Sequence, residues 1–332
     1  MPVGLLIPVV LVGWGTACAL TCWRRLGALA RIPALVTNEL PFLGGYLLVA
    51  STALALAQGD LDSVGGAVVA VGAVVVLLGL AVVVRRGLRA DAALGSPSPV
   101  RRPWGRILRA PLPAFRRDVV RIRNLSYGDG PRRTLDVYHH RDRPTGASVV
   151  LHFHGGGFNA GDKSREARPL LGHLAGRGLV CASANYRLRP HVEYEDQLAD
   201  ALAAIEWVRS QAPEFGGDPT RIFLVGSSAG AYLSVAAVNA GASGIAGIVG
   251  RYGYYGSLGP DRHPPPLFVI HGENDLLVPP SRAREFVERM RAGSSRPAQF
   301  VELPGGHHDF DLYESIRSNA VSVAVERFIA GC

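Results

Sequence analysis

Three stretches within the first 84 residues contain no charged side chain: Val3 to Trp23, Leu40 to Gln58 and Val64 to Val84. Each is about 20 residues long, the length a helix needs to cross roughly 30 Å of hydrocarbon. A bilayer leaves a spanning segment few options, because every backbone polar group must be satisfied internally. A buried globular helix explains any one of these stretches, but three in succession predict a three-span anchor over residues 1–84. A signal peptide would need a basic start, which Met1-Pro-Val-Gly lacks. A lipoprotein site would need a suitable apolar residue three positions before Cys18, where Gly15 stands.

The arginines set the expected orientation. Arg24, Arg25 and Arg31 follow the first stretch, Asp60 and Asp62 follow the second, and Arg85, Arg86 and Arg89 follow the third. Placing all basic flanks on one side puts the N-terminus outside and the rest of the chain in the cytoplasm. The expected location is therefore the cell membrane, multi-pass, with a cytoplasmic C-terminal part.

The formal net charge of +8 is confined to one short segment. Residues 85–123 hold eleven arginines against Asp91 and Asp118, whereas residues 124–332 hold 21 basic and 22 acidic side chains. A nucleic-acid enzyme would spread positive charge around its site, so nucleic acid is not an expected partner. Residues 85–118 also contain Pro97, Pro99, Pro103, Pro111 and Pro113, and read as a stiff tether lying against anionic headgroups. Cys18, Cys22, Cys181 and Cys332 are too scattered for a disulfide framework or a zinc site, and no metal is expected.

From Val119 the pattern changes. β-rich runs at Thr134–His139, Ser148–His154, Leu179–Asn185, Arg221–Gly226, Ile245–Arg251, Leu267–His271 and Ala298–Leu303 follow a first strand. Helical runs lie near Glu166–Gly176, Glu195–Gln211, Ala229–Ala240, Ser281–Arg291 and Leu312–Ala330. Alternation of this kind predicts an α/β domain over 119–332, with an eight-stranded, mostly parallel sheet covered on both faces. The first two strands, joined through Gly128-Asp129-Gly130, should form an antiparallel edge.

Residues 221–231 read as an apolar strand, then Gly226-Ser227-Ser228-Ala229-Gly230, then a helix. A sharp strand-to-helix turn strains its central residue and needs small neighbours. Glycine at −2 and +2 selects Ser228 as nucleophile over Ser227. Upstream, His154-Gly155-Gly156-Gly157 follows a buried strand. Backbone amides of Gly156 and Gly157, with that of Ala229, are candidate donors to a tetrahedral oxyanion. His154 and Gly155 are expected to shape this loop. A serine nucleophile also needs a base and an orienting carboxylate, in the order Ser, Asp or Glu, His. Asp275 lies just past the strand that ends at His271. Beyond Asp275 only His307 and His308 remain for the base.

Together these residues resemble the α/β-hydrolase fold, and within it the hormone-sensitive-lipase-like esterases. The resemblance runs from about Asn124 to the C-terminus. It covers His154-Gly-Gly-Gly157, Asn185-Tyr186-Arg187-Leu188-Arg-Pro190, Asp200 with Trp207, Gly216-Gly-Asp218-Pro-x-Arg221, the serine turn, and His271-Gly-x-x-Asp275-x-x-Val-Pro279. In that family the last histidine stands two residues before a Phe, as in His308-Asp309-Phe310, so the resemblance implies His308 as base. It departs from the family at Ser227, where Asp is common, and at Ala231, where Gly is common. The family's N-terminal cap helices have no clear counterpart, and the short stretch between Arg251 and Leu267 implies no large lid. The implied activity is that of a membrane-anchored serine carboxylesterase acting on short- to medium-chain esters with no cofactor. The partners are a small or lipid-like ester and the membrane. An amidase, or an acyltransferase acting on a lipid or sugar, would use the same triad. A non-catalytic binding module would be signalled by a lost triad member, and none is lost.

Overall fold

The computed structural model describes residues 3–21, 23–111, 116–259 and 263–332. Cys22 and Pro113, named above, lie outside them. Contacts divide the chain into two compact units. A helical unit comprises Met1–Ala114, Gly272–Leu277 and Leu303–Ala320. A sheet unit comprises Phe115–His271, Val278–Glu302 and Val321–Cys332. The expected division into anchor, tether and catalytic domain follows the chain in order. In the contact grouping two C-terminal loops, one bearing Asp275 and the other His308, fall with the N-terminal helices.

The helical unit begins with α1 (Val3–Leu20), α2 (Ala28–Glu39), α3 (Pro41–Ala57) and α4 (Val64–Leu88). Ser63 caps α4 by accepting from the Gly66 N–H (3.0 Å), and Arg85 and Arg86 occupy its last turn, where the helix dipole favours cations. By length and composition α1 and the run Val64–Ala93 can each cross a membrane, with a third span only if α2 and α3 count as one. Two of the three expected stretches thus form helices long and apolar enough to span, and the middle one differs in shape. The middle stretch is α3, 17 residues long, and it meets α2 at an 86° bend. Pro41 at the first position of α3 is the cause, since it cannot continue the preceding hydrogen-bond ladder and pushes Leu40 out of the helical region. Among the described residues, nearly every large apolar side chain left exposed lies before Arg109, with Tyr254 and Leu277 as exceptions. The basic segment is not a bare linker: it forms α5 (Ala90–Ala93) and α6 (Trp104–Ile107). Asp91 holds it folded by accepting from Arg102 Nη2 (2.7 Å) and the Val100 N–H (3.1 Å).

The sheet unit contains strands β1 (Val119–Ser126), β2 (Thr134–His140), β3 (Ala147–Phe153), β4 (Val180–Ala184), β5 (Gly217–Ser227), β6 (Ile245–Arg251), β7 (Leu267–Gly272) and β8 (Ala298–Leu303). They form one eight-stranded sheet in the order β1-β2-β4-β3-β5-β6-β7-β8. As expected, β1 and β2 make the antiparallel edge, and β3 to β7 pair in parallel. The connecting helices are α7 (Arg168–Gly176), α8 (Tyr194–Gln211), α9 (Ala229–Asn239) and α10 (Pro280–Gly293), with α11 (Ile316–Gly331) closing the chain. From β3 the chain crosses outward to β4, then returns past β3 to β5. This reversal makes the junction of β3 and β5 the switch point of the sheet, where crevices form at strand C-termini. Right-handed crossovers put α7 and α8 on opposite faces. On one face α7 meets α11 through His173 Nε2 and Glu326 (2.6 Å).

One motif of the family pattern acts as an internal clamp. Asp200, fully buried on α8, accepts from the backbone N–H, Nε and Nη2 of Arg187 (each 2.9 Å) and pairs with Arg133 at 3.1 Å. Asp200→Asn is expected to lower the denaturation midpoint of the detergent-solubilised protein, at a cost of about 2 kcal/mol. An unchanged midpoint would show the clamp to be dispensable.

Candidate active site

The chain enters the nucleophile turn along β5, whose register pairs Gly226 with Phe153 of β3. Ser228 follows with φ +51° and ψ −114°, a left-handed conformation that costs a non-glycine residue about 1–3 kcal/mol. Its neighbours explain why glycine flanks it. A Cβ on Gly226 would lie 2.2 Å from the Gly230 carbonyl oxygen, and one on Gly230 would lie 2.0 Å from that of Phe153. Both contacts are backbone to backbone, so neither can be relieved by a side-chain shift. The Ser228 N–H donates to the Arg251 carbonyl (2.9 Å), and α9 starts at the next residue.

Burial distinguishes the two serines. Ser228 is half-buried, while Ser227 is fully buried and spent on a polar chain beneath the turn. Ser183 Oγ donates to the Lys163 carbonyl (2.8 Å), so it accepts from His152 Nδ1–H (2.9 Å). His152 Nε2 is then free of a proton and accepts from the Ser227 hydroxyl (3.2 Å), which accepts in turn from Arg251 Nη2 (2.7 Å). Burial, and then the nearby Arg251 guanidinium, push the His152 pKa well below its ordinary value, which agrees with this neutral tautomer. Sequence reasoning assigned no role to His152, Ser183 or Arg251. The one available signal was Arg251 itself, a lone charge at the C-terminal end of an apolar parallel strand.

The glycine loop lies beside the serine. A Cβ on Gly155 would be 3.0 Å from the Ser228 Cβ and 3.1 Å from the Ser227 carbonyl oxygen. The Gly155 N–H donates to the buried Glu166 carboxylate (2.7 Å), a support that the sequence did not reveal. Gly156 and Gly157 have φ +117° and +60°. Among the described residues, neither donates its N–H to a hydrogen-bond partner. Two uncommitted amides in fixed positions are what an oxyanion requires. Ala229 is the first residue of α9, where amides point out of the helix without an intrahelical acceptor. His154 packs beside the loop. Its ring stacks on Tyr186 (centroids 4.4 Å apart) and its Nδ1 donates to the Gly155 carbonyl (2.7 Å). Burial pulls its pKa down to about 4, so it is neutral and carries no charge into the site.

The candidate acid and base, Asp275 and His308, belong to the helical unit. His308 Nδ1 meets Asp275 Oδ2 at 2.7 Å, and both side chains are buried. Asp275 Oδ1 accepts from the Leu277 N–H (2.8 Å), which fixes the carboxylate plane. The tautomer with the proton on Nδ1 is the one that His308 presents to Asp275. His307 is fully buried, and burial lowers its pKa to about 4. His271, the other histidine near Asp275 in sequence, donates from Nε2 to the Val278 carbonyl (2.9 Å). Of the expected residues, Ser228, Ala229 and the His154–Gly157 loop are therefore assembled in the sheet unit. Asp275 and His308 are joined in the helical unit.

Residues 150–263 match a family model described as alpha/beta hydrolase fold. The chain is 31% identical over 308 residues to a probable carboxylic ester hydrolase, LipM, of Mycobacterium tuberculosis, covering 76% of this chain and 72% of LipM. It is 32% identical over 264 residues to Esterase LipC of the same organism, covering 64% of this chain and 66% of LipC, about two thirds of that relative's length. Among solved structures, a thermophilic esterase of the planctomycete Thermogutta terrifontis with bound propionate superposes with a TM-score of 0.54. It is 24% identical, and the match covers 63% of this chain and 93% of that one. The likeness to that structure is one of fold.

The two adjacent histidines give a sharp test. His308→Ala is expected to lower ester turnover by about 10³-fold or more. His307→Ala should stay within a fewfold of wild type in rate while losing thermal stability, because it empties a buried site. The reverse ranking in steady-state assays would transfer the role to His307.

Proposed function

Because the chain belongs to the hormone-sensitive-lipase-like esterase family of the α/β-hydrolase fold, we propose that it is a membrane-anchored serine carboxylesterase acting on short- to medium-chain esters. The observation that carries the reading is the strained, half-buried Ser228 beside two uncommitted glycine amides. In the proposed reaction His308 Nε2 takes the hydroxyl proton as Ser228 Oγ attacks the ester carbonyl. Asp275 holds the Nδ1–H tautomer and stabilises the imidazolium that forms. The amides of Gly156, Gly157 and Ala229 receive the oxyanion. His308 then protonates the leaving alcohol, and water activated by the same histidine releases the acid from Ser228. No step calls for a metal or cofactor.

The anchor rests on the exposed apolar side chains of α1, α3 and α4. Exposure on that scale marks a surface meant for another apolar phase. The arginines after α4 then favour the anionic cytoplasmic leaflet, which supports a cytoplasmic C-terminal part and an N-terminus outside. The chain-length reading rests on residues 252–266, which form no helix or strand among the described residues and so offer little cover for a long acyl group.

A panel of p-nitrophenyl esters of rising chain length, assayed with detergent-solubilised full-length protein and in liposomes, tests the chemistry. Turnover is expected from acetyl to octanoyl and to fall beyond, and Ser228→Ala should lower it by at least about 10³-fold. A Ser228→Ala protein with near wild-type turnover that still labels with a fluorophosphonate would sink the assignment. For topology, a reporter after Cys332 should read cytoplasm, and one in the Gly59–Ser63 loop should read outside. An active alkaline phosphatase fused after Cys332 would reverse the orientation.

A further inference from the structure

The loop that carries His308 is held at its foot by the C-terminal end of α2. Asn38 Nδ2 donates to the Gly305 carbonyl (2.8 Å). Glu39, two per cent exposed, accepts from Arg317 Nη1 on Oε1 (3.2 Å) and from the Ser315 hydroxyl on Oε2 (2.5 Å). Arg317, one per cent exposed, also donates from Nη1 to the Asn38 carbonyl (3.0 Å) and from Nε to the Pro304 carbonyl (3.2 Å). The same two side chains thus grip both ends of the segment 304–315. Pro304 and Gly305 lie on one side of His308, and Ser315 lies on the other.

The acid loop is tied into the same cluster. The Gly305 N–H donates to Glu273 (2.8 Å), the Asn274 N–H to the Gly306 carbonyl (2.8 Å), and the Glu273 N–H to the Leu303 carbonyl (3.1 Å). Leu276, next to Asp275, packs against Cys18, Ala30 and Ala34 of α1 and α2. Arg31 of α2 lies 3.8 Å from Asp309, the neighbour of His308. Every one of these contacts lies within the helical unit.

We propose that Asn38 and Glu39 are positioning residues for the base: through Arg317, Ser315 and Gly305 they set the place of His308 against Asp275. This inference rests on the reading of His308 as base. It makes the N-terminal helices a working part of the catalytic machinery as well as an anchor. The bend at Pro41 has a function in this account. It ends α2 at Glu39, so that the last helical carbonyls and two polar side chains face the His308 loop. Arg317 then sits at a helix C-terminus, where a cation is favoured.

The test uses full-length protein in detergent with a soluble short-chain ester, a substrate that needs no membrane. Glu39→Ala and Asn38→Ala are expected to lower kcat by about 100-fold and about tenfold, with KM within threefold of wild type. Glu39→Gln, which keeps an acceptor for Arg317, should recover part of the loss. The double variant Glu39→Met/Arg317→Met replaces the buried pair by apolar groups and guards against misfolding. It should melt near wild type yet remain slow. If the double variant is folded and as fast as wild type, the inference is overturned. It is equally overturned if the single variants lose rate only on liposome-embedded esters, since that pattern belongs to an anchor. His308→Ala in the same assay separates the two readings. A fast His308→Ala protein defeats the assignment of the base, while a dead one beside fast Glu39 and Asn38 variants defeats only the positioning role.

Discussion

A serine held at φ +51° and ψ −114° survives only where the surrounding chain leaves it no alternative. At Ser228 that compulsion comes from backbone packing alone. Gly226 faces the Gly230 carbonyl, Gly230 faces the Phe153 carbonyl, and the Ser228 N–H is tied to Arg251. Three neighbouring strands and the start of α9 therefore converge with almost no side chain between them. The strain is local and small beside the burial of the sheet, in which β4 and β7 are buried along their whole length. The sheet thus holds in place a conformation that no local preference would choose.

The polar chain below the turn extends this rigidity. Its direction is fixed at one end by Arg251, which can only donate, and at the other by the Lys163 carbonyl, which can only accept. Between them Ser227, His152 and Ser183 have a single consistent arrangement of protons. A family member with Asp at position 227 would present an acceptor to Arg251 directly. Here the hydroxyl relays the contact to a neutral histidine instead. His154 is likewise kept neutral by burial.

Much of this was legible in the sequence, for an identifiable reason. The glycines at 155–157, 226 and 230 are demanded by backbone geometry, and such demands act over a few residues, where sequence order preserves them. The strand and helix runs carry their own periodicity, and most boundaries fall within two residues of expectation. The bend between α2 and α3 was also written in the chain, as Pro41, but the uncharged run beginning at Leu40 concealed that it starts a new direction. Glu166, His152 and Arg317 were not legible. Glu166 reaches back 11 residues to Gly155, and the other two act across longer separations: His152 meets Ser227 75 residues on, and the contact of Glu39 with Arg317 joins residues 278 apart. No local pattern records such a pairing, and a lone Glu at the edge of an apolar run resembles a solvated flank.

The energetics of that pair clarify what it contributes. Two charges that are both almost wholly removed from water recover their desolvation only through close geometry and further hydrogen bonds. A well-packed apolar pair of similar size would serve stability about as well. What an apolar pair cannot do is define a direction. Glu39 and Arg317 bond at fixed angles to Ser315, to the Asn38 carbonyl and to the Pro304 carbonyl, and those bonds hold the loop at both ends. The proton transfer proposed for His308 would depend on Nε2 being aimed within a fraction of an ångström, whereas the fold tolerates far more slack. A buried ionic cluster at the foot of the His308 loop is therefore best understood as a means of aiming the imidazole. Its origin in the N-terminal helices ties the fidelity of that aim to the segment that also exposes the apolar surface.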